Sequence, residues 1–288
     1  MGESVASPMR ERVGAAMGAS RGRREVLVWW VVAFLAFRTL IPLFSRVPSP
    51  ISRPVLVVLF MLLSLMGPRL LASLSLPLGW RLPLIPLLAA LSLVAAAAQT
   101  GAAGPTSAAL LAGYSDLFLI LCAGAVGLTV AGLFREPNIL VPVALVSGLV
   151  DYWGVNYGTT AQVLQHAPQV VSKLSVQMPV PAASGGVDFS IGIGFGDFVF
   201  FTTFLACARR FALRERLTFW LGFAMLLGAM AVVVMADRNI PALAPMAVAF
   251  LGANWGRFQL QRGEVQAMGY AALIVAALIG LWMVLRHG

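Results

Sequence analysis

The sequence predicts an all-α protein, a polytopic membrane bundle of about nine transmembrane helices. Of its 288 residues, 60% are apolar and only 11% are charged. The mean hydropathy is +0.89, and apolar runs recur along the whole chain. Because soluble domains carry roughly a quarter charged residues, this chain has too few charges to cover a surface that faces water. The composition therefore excludes an ordinary cytosolic enzyme, a disordered protein and a fibrous protein.

The apolar runs define the elements in chain order. An Arg-rich segment, residues 1–25, comes first, and we interpret it as a cytoplasmic tail rather than a cleaved signal peptide. The runs that follow occupy residues 26–44, 54–66, 82–98, 109–134, 138–155, 189–208, 217–236, 240–256 and 266–285. A spanning helix needs roughly 20 residues. The run 54–66 is short and bounded by Pro54 and Pro68, so the count falls to eight if it does not span.

These runs suggest four parts. The tail of residues 1–25 is followed by N-terminal transmembrane helices over 26–134 and by a core over 138–258 that carries the chemistry. An extra C-terminal helix occupies 266–288. Between the fifth and sixth runs lies a long connection, residues 156–188, with a β-compatible patch over 170–176, and long loops are usually functional.

The positive charges predict the orientation of the chain. The net charge is +9, and excess arginine mostly marks cytoplasmic loops. With the N-terminus inside, most loop arginines fall on the inner side: Arg69, Arg81, Arg135, Arg209, Arg210, Arg214, Arg216, Arg257 and Arg262. The C-terminus is then outside. The composition favours a prokaryotic plasma membrane.

The same residues argue against other partners. No basic stripe is interleaved with stacking aromatics, so we predict no nucleic-acid partner beside the lipid bilayer. Cys122 and Cys207 lie in apolar runs, and His166 and His287 are far apart. The sequence therefore predicts neither a disulfide framework, a metal site nor a cofactor.

Acidic residues inside apolar runs are costly and mark functional sites. Asp116, Asp151 and Asp197 are three such residues. For Asp116, which follows Tyr114 and Ser115, we expect a local hydrogen bond. Arg38, in the first run, could extend its charge to an interface, and we assign it no role.

Asp151 and Asp197 belong together by depth. At 1.5 Å per residue, both lie roughly 17–18 Å above the inner boundary of their spans. Facing carboxylates cannot both ionise easily, so they share a proton. The protonated member can polarise a carbonyl while the ionised member deprotonates a water, as in aspartic proteases.

Two further features accompany the aspartates. Gly192, Gly194 and Gly196 precede Asp197 at alternate positions, which weakens a helix and permits close approach of another backbone. The segment Pro241-Ala242-Leu243, followed by Pro245, opens the eighth run. Its prolines leave backbone groups without intrahelical partners, and such groups are costly in lipid unless they line a cavity or bind something.

The ordered set of Asp151, Gly194-Phe195-Gly196-Asp197 and Pro241-Ala242-Leu243 resembles the GxGD intramembrane aspartyl proteases of the presenilin and signal peptide peptidase family. The resemblance covers residues 138–258. It implies a catalytic dyad of Asp151 and Asp197. It also implies substrate-binding roles for the two glycines of the GxGD motif and for the Pro-Ala-Leu (PAL) residues: Gly194, Gly196, Pro241, Ala242 and Leu243.

The predicted orientation is similar to that of signal peptide peptidase, which implies substrates that are signal peptides or single spans with their N-terminus inside. We expect an unwound substrate to add as a strand to the 170–176 patch and to the backbone near Pro241. The sequence departs from the family in having Val150 where the family has Tyr. It also has one more span after the PAL motif and one fewer before Asp151.

Other functions stay open at this stage. A prepilin peptidase also uses a GxGD aspartate but predicts a basic residue soon after it, and Phe198-Val199-Phe200 follows here. A proton-coupled transporter would use Asp116, Asp151 and Asp197 as a relay and predicts inverted repeats, which the sequence does not show. A homologue that binds membrane proteins without cutting them is a further alternative.

Overall fold

A computed structural model describes residues 22, 25–40, 49–74, 76–99, 101–102, 104–156, 173–181, 187–236, 241–260 and part of 262–280. Residues 1–21 of the predicted tail and 170–172 of the predicted strand patch lie outside this part. The helices are α1 (25–40), α2 (Ser49–Ser73), α3 (Leu78–Gln99), α4 (Pro105–Leu133), α5 (Leu140–Asn156), α6 (Phe195–Arg210), α7 (Glu215–Ala236) and α8 (Leu243–Ala253). One two-stranded sheet pairs β1 (Ser175–Pro181) with β2 (Val187–Gly194).

The described helices fit an integral membrane protein. Five are long and apolar enough to cross a bilayer: Pro54–Ser73, Leu78–Gln99, Thr106–Leu133, Pro137–Val155 and Glu215–Val233. The expectation of a helical membrane protein is therefore confirmed, whereas the predicted count of nine spans is not. In the described part, α8 is apolar but has only 11 residues, and the residues described between 262 and 280 are all helical.

The expectation that prolines bound the second apolar run is wrong. Helix α2 has 25 residues and contains both Pro54 and Pro68. Each proline removes one donor from the helix ladder, but neighbouring groups can satisfy the freed backbone in a bundle. Packing supports the helix as well, since Phe60, Met61 and Leu65 are buried.

The sixth apolar run is not a single helix. Its first residues form the end of β2, and α6 begins only at Phe195. Gly192 and Gly194 fall in this stretch, and glycine disfavours the helix. The predicted strand patch is also displaced, because β1 runs from Ser175 to Pro181 rather than over 170–176.

The structure divides into two compact units. The first comprises Met1–Ala125 and Gln177–Ile191, and the second comprises Val126–Val176 and Gly192–Gly288. In the first unit, the Trp30 indole donates a hydrogen bond of 2.7 Å to the Leu63 carbonyl and so joins α1 to α2. The hydroxyl of Ser92 donates to the Ser115 carbonyl at 3.0 Å and joins α3 to α4.

In the second unit, α8 is the central element, because it packs against α5, α6 and α7. The rings of Phe204 on α6 and Phe250 on α8 stack with centroids 4.6 Å apart. Beyond α8, the buried Asn254 amide accepts the Arg214 N–H at 2.8 Å and donates to the Thr218 hydroxyl at 3.0 Å. The end of α8 is thus fixed to the start of α7.

Gly127 marks a close approach of α4 to α6 within this unit. A Cβ atom at Gly127 would lie 2.5 Å from the Val199 carbonyl oxygen of α6 and 2.8 Å from the Thr202 Cβ. The Thr203 hydroxyl donates to the Gly127 carbonyl at 3.1 Å. Only glycine allows the C-terminal part of α4 to lie this close to α6.

We therefore predict that Gly127→Ala lowers the free energy of unfolding by about 2 kcal/mol, because the methyl group forces the two backbones apart. Thermal unfolding in detergent micelles would measure the loss. Gly132→Ala is the matched control, since no described atom lies within 4 Å of a Cβ there. An unchanged unfolding temperature for Gly127→Ala would contradict this packing.

Candidate active site

Asp151 lies near the C-terminal end of α5 and is half-buried. Its Oδ2 atom accepts a hydrogen bond of 2.9 Å from the main-chain N–H of Leu243. Leu243 is the first residue of α8, so its N–H is one of the donors that a helix cannot satisfy internally. The PAL segment therefore binds Asp151 through its backbone.

A glycine allows α5 and α8 to come together at this point. Gly148 precedes Asp151 by one helical turn and shares its face of α5. A Cβ atom at Gly148 would lie 3.3 Å from the Ala244 Cα atom. The small residue thus brings the start of α8 within hydrogen-bonding distance of Asp151.

Asp197 lies in the first turn of α6, three residues after the extended Gly194. Its Oδ2 atom accepts the Gly194 N–H at 3.0 Å, and this bond caps the helix. A Cβ atom at Gly194 would lie 3.3 Å from the same Oδ2, so a side chain there would crowd the carboxylate. A negative charge is also stabilising at a helix N-terminus.

Asp151 and Asp197 lie in the same unit, on helices that both pack against α8. Both are half-buried rather than sealed from the surroundings. In the described part of the chain, each carboxylate has one hydrogen bond, through Oδ2, from a main-chain N–H. The Oδ1 atoms are therefore the atoms that can bind a water or a substrate carbonyl.

The structure thus brings together Asp151, Asp197, Gly194 and Leu243 from the set that the sequence singled out. Gly196 is exposed in the first turn of α6, and no described atom lies within 4 Å of a Cβ there. Pro241 is buried and Ala242 is half-buried in the approach to α8. Gly148 was not predicted from the sequence, although a small residue one turn before an intramembrane aspartate can indicate the close approach of another helix.

Asp116 differs from its prediction. It forms no local pair with Tyr114 or Ser115 but a buried ion pair with Arg38 of α1. The expectation that Arg38 extends to an interface is wrong for the same reason, because its side chain is buried. Residues 78 positions apart in the sequence form this pair, so neighbouring residues could not reveal it. Both belong to the first unit.

We predict that alanine and asparagine at the two aspartates affect stability differently. Asp151→Ala and Asp197→Ala each lose an acceptor at a helix start and should each cost about 1 kcal/mol of unfolding free energy. Asp151→Asn and Asp197→Asn keep an amide oxygen in the same place and should unfold near the wild-type temperature. Equal unfolding temperatures for the alanine and asparagine variants would contradict the two hydrogen bonds.

Comparisons with known proteins identify no relative of this chain. No family model matches the chain, and no curated protein or solved structure matches it. The site is therefore defined by its own residues: two half-buried carboxyl groups on α5 and α6, helices that both pack against α8, each carboxyl group fixed by a main-chain N–H.

Proposed function

We propose that this protein is an intramembrane aspartyl endopeptidase that hydrolyses peptide bonds within transmembrane helices. One observation carries the proposal. Asp151 and Asp197 lie on two helices that both pack against α8, and each is oriented by a backbone donor from a motif residue, Leu243 for one and Gly194 for the other. Such a pair can activate a water without a metal or a nucleophilic side chain.

The reaction follows from two carboxyl groups that share one proton. The ionised carboxylate removes a proton from a water, and the hydroxide oxygen attacks the peptide carbonyl carbon. The protonated carboxyl group donates its proton to the carbonyl oxygen, which yields a tetrahedral diol. The C–N bond then breaks as a proton passes to the leaving amine, and the second product is a carboxylic acid.

The surrounding residues fix the geometry of this exchange. The Leu243 N–H and the Gly194 N–H each hold one Oδ2 atom, so the Oδ1 atoms can face a shared water. Gly194 leaves room for that arrangement, because a side chain there would crowd Asp197. Exposed Gly196 leaves the first turn of α6 open to a substrate backbone.

The finer assignments belong to the same proposal. We propose nine spans, an inner N-terminus, an outer C-terminus and a prokaryotic plasma membrane, supported by the arginine distribution. The substrates are signal peptides or single spans with their N-terminus inside. Such a substrate must unwind near the site, because helical peptide bonds are shielded by their own hydrogen bonds.

The pairing of Asp116 favours proteolysis over transport. A relay through Asp116, Asp151 and Asp197 needs acids that can bind and release protons in turn. Asp116 is buried and already paired with Arg38, whereas Asp151 and Asp197 are half-buried and lie on helices that both pack against α8. The described residues therefore support one pair of acids rather than a chain of three.

The test is cleavage of single-span reporters, inserted in both orientations, in membranes that contain the wild-type protein, Asp151→Asn or Asp197→Asn. We expect cleavage within the span by the wild type and a loss of at least about a hundredfold in either variant, because each removes an acid–base group. Mass spectrometry of the products would locate the cleaved bond.

Glu215→Gln provides a matched control for this experiment. Glu215, at the start of α7, forms an ion pair of 3.7 Å with Arg209 in the last turn of α6. Asp197 lies at the opposite end of α6, so cleavage should be unchanged. Full cleavage by either aspartate variant would overturn the dyad. A wild-type protein that cuts no reporter in either orientation, but conducts protons in an Asp151-dependent manner, would favour the transporter.

A further inference from the structure

Strand β1 pairs with β2 along one edge, and Gln177 faces the other edge, where the described residues contribute no further strand. Just before β1, the Leu174 carbonyl accepts the Phe195 N–H at 2.9 Å, so Leu174 directs its backbone toward the chain that follows β2. In antiparallel strands, the N–H and C=O groups of successive residues point to opposite edges. Gln177 follows Leu174 by three positions and therefore directs both of its backbone groups away from β2.

Two charged side chains meet the backbone of Gln177. Arg38 Nη1 donates a hydrogen bond of 2.9 Å to the Gln177 carbonyl. The Asp116 carboxylate accepts the Gln177 N–H and is paired with the same guanidinium through Nη2. One donor and one acceptor thus satisfy both backbone groups of one strand residue, as a neighbouring strand would do.

The arrangement is firmly packed. Arg38 is 3% exposed and Asp116 is 6% exposed. The Arg38 stem lies against Gly113, where an added Cβ atom would be 3.2 Å from the Arg38 Cβ, and its guanidinium lies 5.9 Å from the Phe60 ring centroid. A buried ion pair is stabilising only if further hydrogen bonds satisfy its charges. Gln177 supplies one such bond to each side chain, whereas Arg38 Nε has no hydrogen-bond partner among the described residues.

We propose that Arg38 and Asp116 form an edge clamp, the ion pair that binds the Gln177 backbone, and that this clamp fixes β1 in its register. The clamp stands in for a third strand at Gln177. The register of β1 bears on the position of Asp197. Strand β2 pairs with β1 and ends at Gly194, immediately before the helix that carries Asp197. Arg38 and Asp116 are thus positioning residues, and this proteolytic role rests on the proposed function.

Hydrogen–deuterium exchange of the full-length protein in lipid nanodiscs tests the clamp without any assay of cleavage. The double variant Arg38→Met/Asp116→Leu removes both charges and both hydrogen-bonding groups together, so neither charge is left buried alone. We expect the amide of Gln177 to exchange at least about tenfold faster, because it loses a hydrogen bond to a charged acceptor. Unchanged exchange over residues 175–181 would overturn the clamp.

Ser92→Ala is the matched control. It removes a partly buried hydrogen bond between α3 and α4, whose acceptor is the carbonyl of Ser115, the residue before Asp116, in the same unit. No described hydrogen bond joins Ser92 to β1. Exchange over residues 175–181 should stay at the wild-type rate. If the double variant does not fold, Arg38→Lys keeps the charge but replaces the planar fork with a single ammonium. That ammonium cannot hold the Gln177 carbonyl and Asp116 in the same geometry, so faster exchange over residues 175–181 is expected.

Mapping of cleavage positions tests the role of the clamp in proteolysis. In an active protein, we expect the variant with faster exchange to cut at shifted or additional bonds of the same reporter, whereas Ser92→Ala cuts at the wild-type bond. Faster exchange with an unchanged cleavage pattern would overturn the positioning role. Faster exchange in a protein whose wild type cuts nothing would count against the proposed function and leave the clamp itself supported.

Discussion

The hydrogen bond from the Leu243 N–H to the Asp151 carboxylate is the interaction on which the second unit depends. It joins the start of α8 to the end of α5, and α8 in turn packs against α6 and α7. A helix start always has donors without internal partners, and in an apolar medium each unpaired donor is costly. The carboxylate satisfies one of them, so the stability of the bundle and the position of the acid have the same origin.

The second carboxylate follows the same rule. Asp197 satisfies the Gly194 N–H at the start of α6, just as Asp151 satisfies a donor at the start of α8. Glycine contributes at both places by allowing close approach, through Gly148 on α5 and Gly194 before α6. Among the described residues, the two acids are therefore held by backbone N–H donors rather than by other side chains.

The sequence predicted the helical membrane class because this class depends on local composition. Motif spacing singled out Asp151, Gly194, Asp197 and Leu243, which the structure joins through two backbone hydrogen bonds, while their catalytic and binding roles stay a prediction. The sequence misplaced the start of α6. The apolar run 189–208 is compatible both with one helix and with a strand followed by a helix, and only the pairing with β1 decides between these two structures. The ion pair between Arg38 and Asp116 was also not predicted, because a pair of residues 78 positions apart is a tertiary contact. The structure changed their interpretation from an interfacial charge and a local hydrogen bond to one buried pair.

The coverage of Gln177 also bears on self-association. An uncovered strand edge is a template on which a second chain can pair, and natural proteins protect such edges with charges, bulges or covering segments. Arg38 and Asp116 occupy the edge with side chains that belong to helices, so no additional strand is required. A two-stranded sheet can thus persist among the described helices while one of its sides is closed, at Gln177, to edge-to-edge pairing with another copy.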